Sequence, residues 1–213
     1  MLDQTVTNDR LLPMFPLGLT LLPGMALPLR LFEPRYLQMY ADIIDHDREF
    51  GVVLIERGIE SRDDNPTFDV GCTAYIVGSG IHEDATLALV AIGRKRLRVV
   101  DWRPSDPYPL AMVEELDDEP LSDEGMRWLE SAADRLPGLL AVASELNPEL
   151  EPAPPELSED PVQVVYQLAQ LAGLQALDLQ RVLETETTDA RAALVDRLMA
   201  ETVELIEMQL GMR

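Results

Sequence analysis

Residues able to do covalent chemistry are few in this chain, and they are scattered. There is one lysine, Lys95, one cysteine, Cys72, and only two histidines, His46 and His82. A Ser-Lys peptidase dyad would have to use Lys95, which stands among Arg94, Arg96 and Arg98, and no serine occupies a recognisable nucleophile turn. ATP hydrolysis needs a glycine-rich turn that delivers a lysine to the phosphates, whereas Lys95 lies inside a predicted strand. A histidine-assisted nucleophile would require His46 or His82 beside Cys72 or a serine, and the flanks of both histidines predict loop or helix-end positions. One cysteine and two distant histidines cannot form a conventional zinc site, and the acidic runs lack the spacing of a calcium loop. The expectation is no catalytic group, no metal and no cofactor. A small hydrolase using Lys95 or His82 stands as an alternative, which would lose turnover on Lys95→Ala.

Two motifs invite a binding role instead. In Phe32-Glu33-Pro34-Arg35-Tyr36 a charged pair sits beside an aromatic ring, an arrangement able to grip an extended peptide. Phe32, Glu33, Arg35 and Tyr36 are therefore the candidate contact residues. The same residues also serve a helix start: Glu33 places negative charge there, Pro34 fixes the first turn, and Arg35 can anchor the helix to a carboxylate or to exposed carbonyls. The basic run 94–98 could contact RNA, but four cations in a chain of net charge −22 are better placed to balance nearby carboxylates.

That charge makes the chain repel phosphate backbones, so nucleic acid is not expected as a partner. Residues 114–160 hold fifteen carboxylates against Arg127 and Arg135, as a solvated connector and helix surface would. An apolar content of 46% is ordinary for a folded domain. No run of about 18 to 20 uncharged apolar residues predicts a membrane span, and Asp3, Asp9 and Arg10 do not form a leader, so the expected location is the cytoplasm, away from membranes. Cys72, inside an apolar run, reads as a small buried hydrophobe.

The elements that position these residues follow from local pattern. Residues 1–11 read as a flexible arm. Prolines 13, 16, 23 and 28 punctuate short apolar stretches up to Leu31, which fits two edge strands, with Met14 and Leu29 as candidate sites for strand addition. Pro34 opens a helix whose stripe is Tyr36, Leu37, Tyr40, Ile43 and Ile44. Residues 50–55 form a buried strand, and 70–77, 86–92, 94–102 and 110–116 four more, separated by Gly, Pro and Asp turn signals. In the run 94–102, Leu97 and Val99 should enter the core while Arg96 and Arg98 face water. Consecutive short strands predict a closed or sandwiched antiparallel sheet.

Beyond Pro120 the pattern turns helical. Ser122 caps a first helix, four prolines in 147–155 mark an exposed loop, and Asp160-Pro161 starts a second helix that Gly173 ends. A short helix near 177–183 follows, then a last one capped near Thr188 or Asp189. Its seam is Val195, Leu198, Met199, Thr202, Val203 and Ile206, with Glu and Arg outside. The domain expectation is an arm at 1–11, a sheet domain at 12–118 and a helical bundle at 119–213.

The stretch Leu12-Pro13-Met14-Phe15-Pro16-Leu17, then Leu22-Pro23-Gly24-Met25 and Leu27-Pro28-Leu29-Arg30-Leu31-Phe32-Glu33-Pro34-Arg35-Tyr36, resembles the opening of the Lon amino-terminal domain family. Phe50-Gly51-Val52-Val53-Leu54-Ile55, Val70-Gly71-Cys72-Thr73-Ala74, Gly93-Arg94-Lys95-Arg96-Leu97-Arg98-Val99 and Pro107-Tyr108 continue the match in order. The resemblance implies an α+β fold, a PUA-like antiparallel β-barrel followed by a small α-helical bundle, in which Gln180-Arg181-Val182-Leu183-Glu184 precedes the terminal helix. It also implies a non-enzymatic protein- or peptide-recognition module, an adaptor for proteolysis or a free-standing binder of unfolded or apolar segments, working with a protease or chaperone. In full-length Lon proteases ATPase and peptidase modules follow this domain, and 213 residues leave no room for them. Because PUA-like folds include RNA binders, an RNA-binding module is the other alternative. The binding place could be a strand edge or a groove where sheet and bundle meet.

Overall fold

The computed structural model describes residues 9–56, 66–81, 86–104, 106–146 and 156–211. Residues 1–8 of the expected arm, His82 and the expected loop 147–155 lie outside them. The chain divides into two compact units, Met1–Asp117 and Asp118–Arg213.

The first unit contains β1 (Asp9–Leu17), β2 (Ala26–Leu31), α1 (Pro34–Ile43), β3 (Glu49–Leu54), β4 (Val70–Ile81), β5 (Leu87–Arg103) and β6 (Leu110–Leu116). The sheet order is β2-β5-β4-β3-β1-β6, and β5 also pairs with β6. The ladder is thus cyclic, running β5–β4–β3–β1–β6 and back to β5. The length of β5 permits this: Leu87 to Ile92 pair with β2, and Arg96 to Arg103 pair with β6.

Several expectations change here. The sheet is mixed, not antiparallel throughout, because β1 and β3 run parallel with Met14 opposite Gly51 and Leu17 opposite Leu54. Between these strands lie β2 and α1, and a long crossover carrying a helix is what parallel neighbours require. Met14 is therefore interior and fully buried, not at an edge. β1 can hold Pro13 and Pro16 because it faces β6 over Asp9 to Pro13 and β3 over Met14 to Leu17, so each of its edges is paired over only part of its length. The supposed arm gives way to strand at Asp9, where Arg10 is held at 2.8 Å by both Glu49 and Glu115.

Runs 86–92 and 94–102 are one strand, β5, with Gly93 in its middle. A Cβ on Gly93 would collide with the Leu22 carbonyl oxygen, so glycine is needed for close backbone approach and not for a turn. The turn it receives donates from Gly24 N to Gly93 O at 2.8 Å and accepts from Gly93 N at Met25 O, 2.9 Å. A register shift opposite Cys72 and Ala74 also breaks the alternation of the basic run. Arg96 consequently turns inward, 3% exposed, instead of facing water, and its Nη2 donates to the Asp117 carbonyl.

The core gathers Phe15, Tyr36 and Phe50 with Leu27 and Leu31 of β2 and Leu87 and Leu89 of β5. Phe15 and Tyr36 stack with centroids 3.9 Å apart. Each such large side chain withdrawn from water contributes roughly 1.5–3 kcal/mol. The same helix is tied at two further points, where the Tyr40 hydroxyl meets Ser79 Oγ at 2.7 Å and the Tyr108 hydroxyl donates to Asp42 Oδ2 at 2.9 Å. Burial, aided by the Asp42 carboxylate, pushes the Tyr108 phenol up to about 12. Because the folded value is raised, the stabilisation is fully present below the ordinary tyrosine value near 10 and is lost as pH climbs toward about 12. In a difference titration against Tyr108→Phe, the Tyr108 phenolate should form late, and Asp42→Asn should bring it back toward 10; an unchanged difference signal would refute the assignment.

The second unit contains α2 (Asp123–Leu146), α3 (Pro161–Leu171), α4 (Ala176–Glu184) and α5 (Thr188–Gly211). Three of its helix ends are as the sequence predicts, whereas α5 is capped by Thr187, whose Oγ1 accepts from Ala190 N, and not by Thr188 or Asp189. Ser122 Oγ accepts from the amides of Glu124 and Gly125, Asp160 Oδ1 accepts from Val162 N, and Gly173 takes φ +66° after α3. Asp189 at the start of α5 reaches the Ser122 amide at 3.0 Å, and the Ser122 hydroxyl holds the Asp189 carboxyl below its ordinary range.

One arginine of α5 departs from the expected outer face. Arg191 is 0% exposed, pairing with Asp118 at 3.0 Å, donating from Nε to Val182 O and from Nη2 to Thr185 O, and lying over the Tyr166 ring. Tyr166 in turn donates its hydroxyl to Asp118 at 2.8 Å. This knot ties the end of α4, the start of α5 and the segment ahead of α2 to α3. No described helix is long and apolar enough to cross a membrane.

Candidate functional site

Three strands of the first unit build an apolar groove of about 520 Å³. Its lining comes from Pro28, Leu29 and Arg30 of β2, Ala88, Leu89 and Val90 of β5, and Gly78, Ser79 and Gly80 of β4. Register places these in three cross-strand rows: Pro28–Val90–Gly78, Leu29–Leu89–Ser79 and Arg30–Ala88–Gly80. Alternation sends the middle row to the opposite face, where Leu89 is buried in the core and Ser79 meets Tyr40. The outer two rows form the groove. Its floor is unusually bare, because a Cβ added to Gly78 or Gly80 would meet nothing within 4 Å. Val90, exposed, and Pro28 supply apolar walls, and Arg30 supplies the one charge among the lining residues.

A smaller pocket of about 100 Å³ shares Leu29 and Arg30 with the groove and is completed by Phe15, Leu17, Leu31, Phe32, Glu33 and Tyr36. Here lie three of the four candidate contact residues. Tyr36 is core, stacked on Phe15. Glu33 and Arg35 are occupied with each other, Arg35 Nε and Nη2 both 3.0 Å from Glu33 Oε2, with the guanidinium 4.6 Å from the Tyr36 ring centroid. The Glu33 carbonyl also accepts from Tyr36 N and Leu37 N, as a helix start requires. Phe32 alone projects, 70% exposed.

The groove itself escaped the sequence reading. Gly78 and Gly80 look like the turn that ends a strand at Val77, yet β4 continues through them to Ile81. The available signal was a Gly-x-Gly pair inside an otherwise apolar strand, which marks a place where another backbone can come close.

The described residues weighed for catalysis are dispersed. Lys95 Nζ lies 3.1 Å from Glu115 and 3.3 Å from Asp117, and the hydrogen bond to Glu115, then that to Asp117, raises its pKa. Both carboxylates favour the charged form of this amine. Cys72 is buried and donates to the Thr73 carbonyl, while His46 sits in the exposed turn after α1. Among the described residues no group of three or more His, Cys, Asp or Glu is placed to hold a metal ion. The other cations of the basic run also face carboxylates: Arg94 lies 3.6 Å from Glu49 and 3.9 Å from the Tyr75 ring centroid, and Arg98 lies 3.7 Å from Glu114.

Comparison with known proteins places this architecture. The Lon protease of Dictyoglomus thermophilum is 24% identical over 97% of this chain, which spans about a quarter (26%) of that protein's length. The crystal structure of a Lon N-terminal domain protein from Xanthomonas campestris, 27% identical, superposes with a TM-score of 0.62 over 90% of this chain and 98% of that one. The N-terminal domain of the Mycobacterium avium complex Lon protease, 17% identical, shares the fold with a TM-score of 0.62 over 92% of this chain and 98% of that one. The profile of the ATP-dependent protease La (LON) substrate-binding domain matches residues 11–201. The chain belongs to that substrate-binding domain family.

Proposed function

We propose that this protein is a non-enzymatic recognition module for unfolded or apolar protein segments, acting in the cytoplasm as an adaptor that presents clients to a protease or chaperone. The observation that carries the reading is the open apolar groove on β2, β5 and β4, in a chain of the substrate-binding family whose candidate catalytic side chains, among the described residues, are apart or already engaged. The cyclic ladder supports treating the first unit as a PUA-like β-barrel, the rigid scaffold on which such a groove would be displayed. The carboxylates opposite Arg94, Lys95 and Arg98 weigh against RNA as the ligand.

The deciding measurement is fluorescence anisotropy with a labelled protein kept unfolded by reduction and carboxymethylation, set against the same protein folded and a single-stranded RNA. Binding to the unfolded form alone, persisting through a moderate rise in salt, is the expected result. Equal binding to folded and unfolded forms, or RNA binding that falls steeply with salt, would overturn the proposal.

A further inference from the structure

We propose that a second copy of this chain docks on the outer face of β1, β6 and β5, making a weak two-fold dimer in which Asp9 of each copy meets Arg98 of the other. The inference goes beyond the recognition function and does not depend on it, because it uses none of the residues that line the groove.

The face is built by register. Leu11 of β1 stands beside Met112 of β6, and Met112 lies opposite Asp101 of β5, next to the bulged Val100. Two residues along the strands come Pro13, Leu110 and Arg103, and two residues the other way come Asp9, Glu114 and Arg98. The intervening Leu12, Ala111, Val113 and Val99 are core, so alternation turns these three rows outward. Leu11 and Val100 are each 54% exposed, and Pro13, Leu110 and Met112 are half-buried. The result is an apolar strip with charge along its rim. An extended peptide is a poor occupant, since β6 is paired on both sides and offers no free edge for strand addition. Contact here has to be side chain to side chain, as when two sheet faces stack.

Charge selects a second copy as the partner. The row Asp9–Glu114–Arg98 runs from an acid on β1 to a base on β5, and a two-fold axis parallel to β6 lays β1 of one copy over β5 of the other, row on row. Asp9 then faces Arg98 of the second copy, twice over, and Leu11 faces Val100 in the same way. Met112 and Leu110 meet their own counterparts on the axis. The two Glu114 carboxylates that also meet there each keep their own Arg98 at 3.7 Å. An axis across the strands is disfavoured, because it would bring Arg98 over Arg103 of the other copy. A second acidic chain can approach this face because Arg98 and Arg103 offset most of the charge of Asp9, Asp101 and Glu114. The remainder of the net charge of −22 is screened beyond roughly 8 Å at physiological ionic strength. Three rows on three strands fall short of the roughly 20 to 30 residues a side of a standard interface, so a dissociation constant on the order of 10–100 μM is expected.

Sedimentation velocity of the full chain, from about tenfold below to about tenfold above that concentration, is the test. The wild-type chain should pass from monomer to dimer across the range. Leu11→Glu, Asp9→Arg and Arg98→Glu, each at an exposed position, should separately weaken association about tenfold or more with the unfolding midpoint little changed. An equimolar mixture of the Asp9→Arg and Arg98→Glu chains should recover the dimer, because the mixed pair again sets opposite charges at both contacts. A folding defect in either variant could not produce that recovery. A chain that stays monomeric throughout would leave the face to a different protein and overturn the proposal. So would a dimer indifferent to all three substitutions, or charge reversals that fail to recover on mixing.

Discussion

Replacing Arg191 by methionine is expected to destabilise the helical unit by about 3–5 kcal/mol, a large share of the roughly 5–15 kcal/mol that holds a typical domain together. The magnitude follows from what is left behind. Asp118, with its side chain 16% exposed, loses the cation 3.0 Å away, and the carbonyls of Val182 and Thr185 lose their donors. Removing one member of a buried pair costs far more than the pair contributes when intact, because the survivor keeps its desolvation penalty. Arg191→Lys keeps the charge but not the planar fork that spans three acceptors, so an intermediate loss is expected. Combining Arg191→Met with Asp118→Asn should recover part of the deficit. The two tryptophans fall in different units, Trp102 in β5 and Trp128 in α2, so single-tryptophan variants can follow each unit through a urea transition. An unfolding free energy reported by Trp128 that falls by less than about 1 kcal/mol would show that the knot is not the fastening described.

The second large effect belongs to the sheet. Gly93→Ala should cost the upper end of about 1–3 kcal/mol, or more, because the added methyl meets backbone that cannot rotate away. The Leu22 carbonyl carbon would stand 3.0 Å from it and Leu21 Cγ 3.2 Å, and the two hydrogen bonds that join Gly93 to Gly24 and Met25 would stretch together. Gly80→Ala, whose added methyl would meet nothing within 4 Å, is the control and should cost almost nothing. Similar unfolding midpoints for the two variants, followed by Trp102, would refute the close-approach explanation.

What could be read from the sequence was what is decided locally. Pro34, Ser122, Asp160 and Gly173 each act within a turn of their own position, and each marks a helix end where the pattern placed it. The strand containing Phe50 was legible because its side chains are apolar on both faces. What could not be read depends on partners far away. The parallel pairing of β1 with β3 is fixed by a crossover, and the burial of Arg191 depends on Asp118, a residue on a different element that reads as one more surface acid. Glycine was the most misleading signal. Gly78, Gly80 and Gly93 all resemble turn residues, and all three lie within strands, two to leave a face bare and one to admit a neighbouring carbonyl. The candidate site was half visible for the same reason: Phe32 to Tyr36 form a motif by residue type, whereas the groove is made by the lack of side chains.

The return of β6 to both β1 and β5 dictates when the first unit can be completed during synthesis. Asp9 must wait for Glu114, about a hundred residues later, and Arg103 for Leu110, so no partial chain leaving the ribosome before β6 can close the ring. Until then β1 and the second half of β5 carry unsatisfied hydrogen-bonding edges, the kind of surface that recruits other nascent chains. A sheet of this connectivity folds late and all at once, which makes deletion of β6 alone, Leu110–Leu116, far more damaging than the 7 residues lost would suggest.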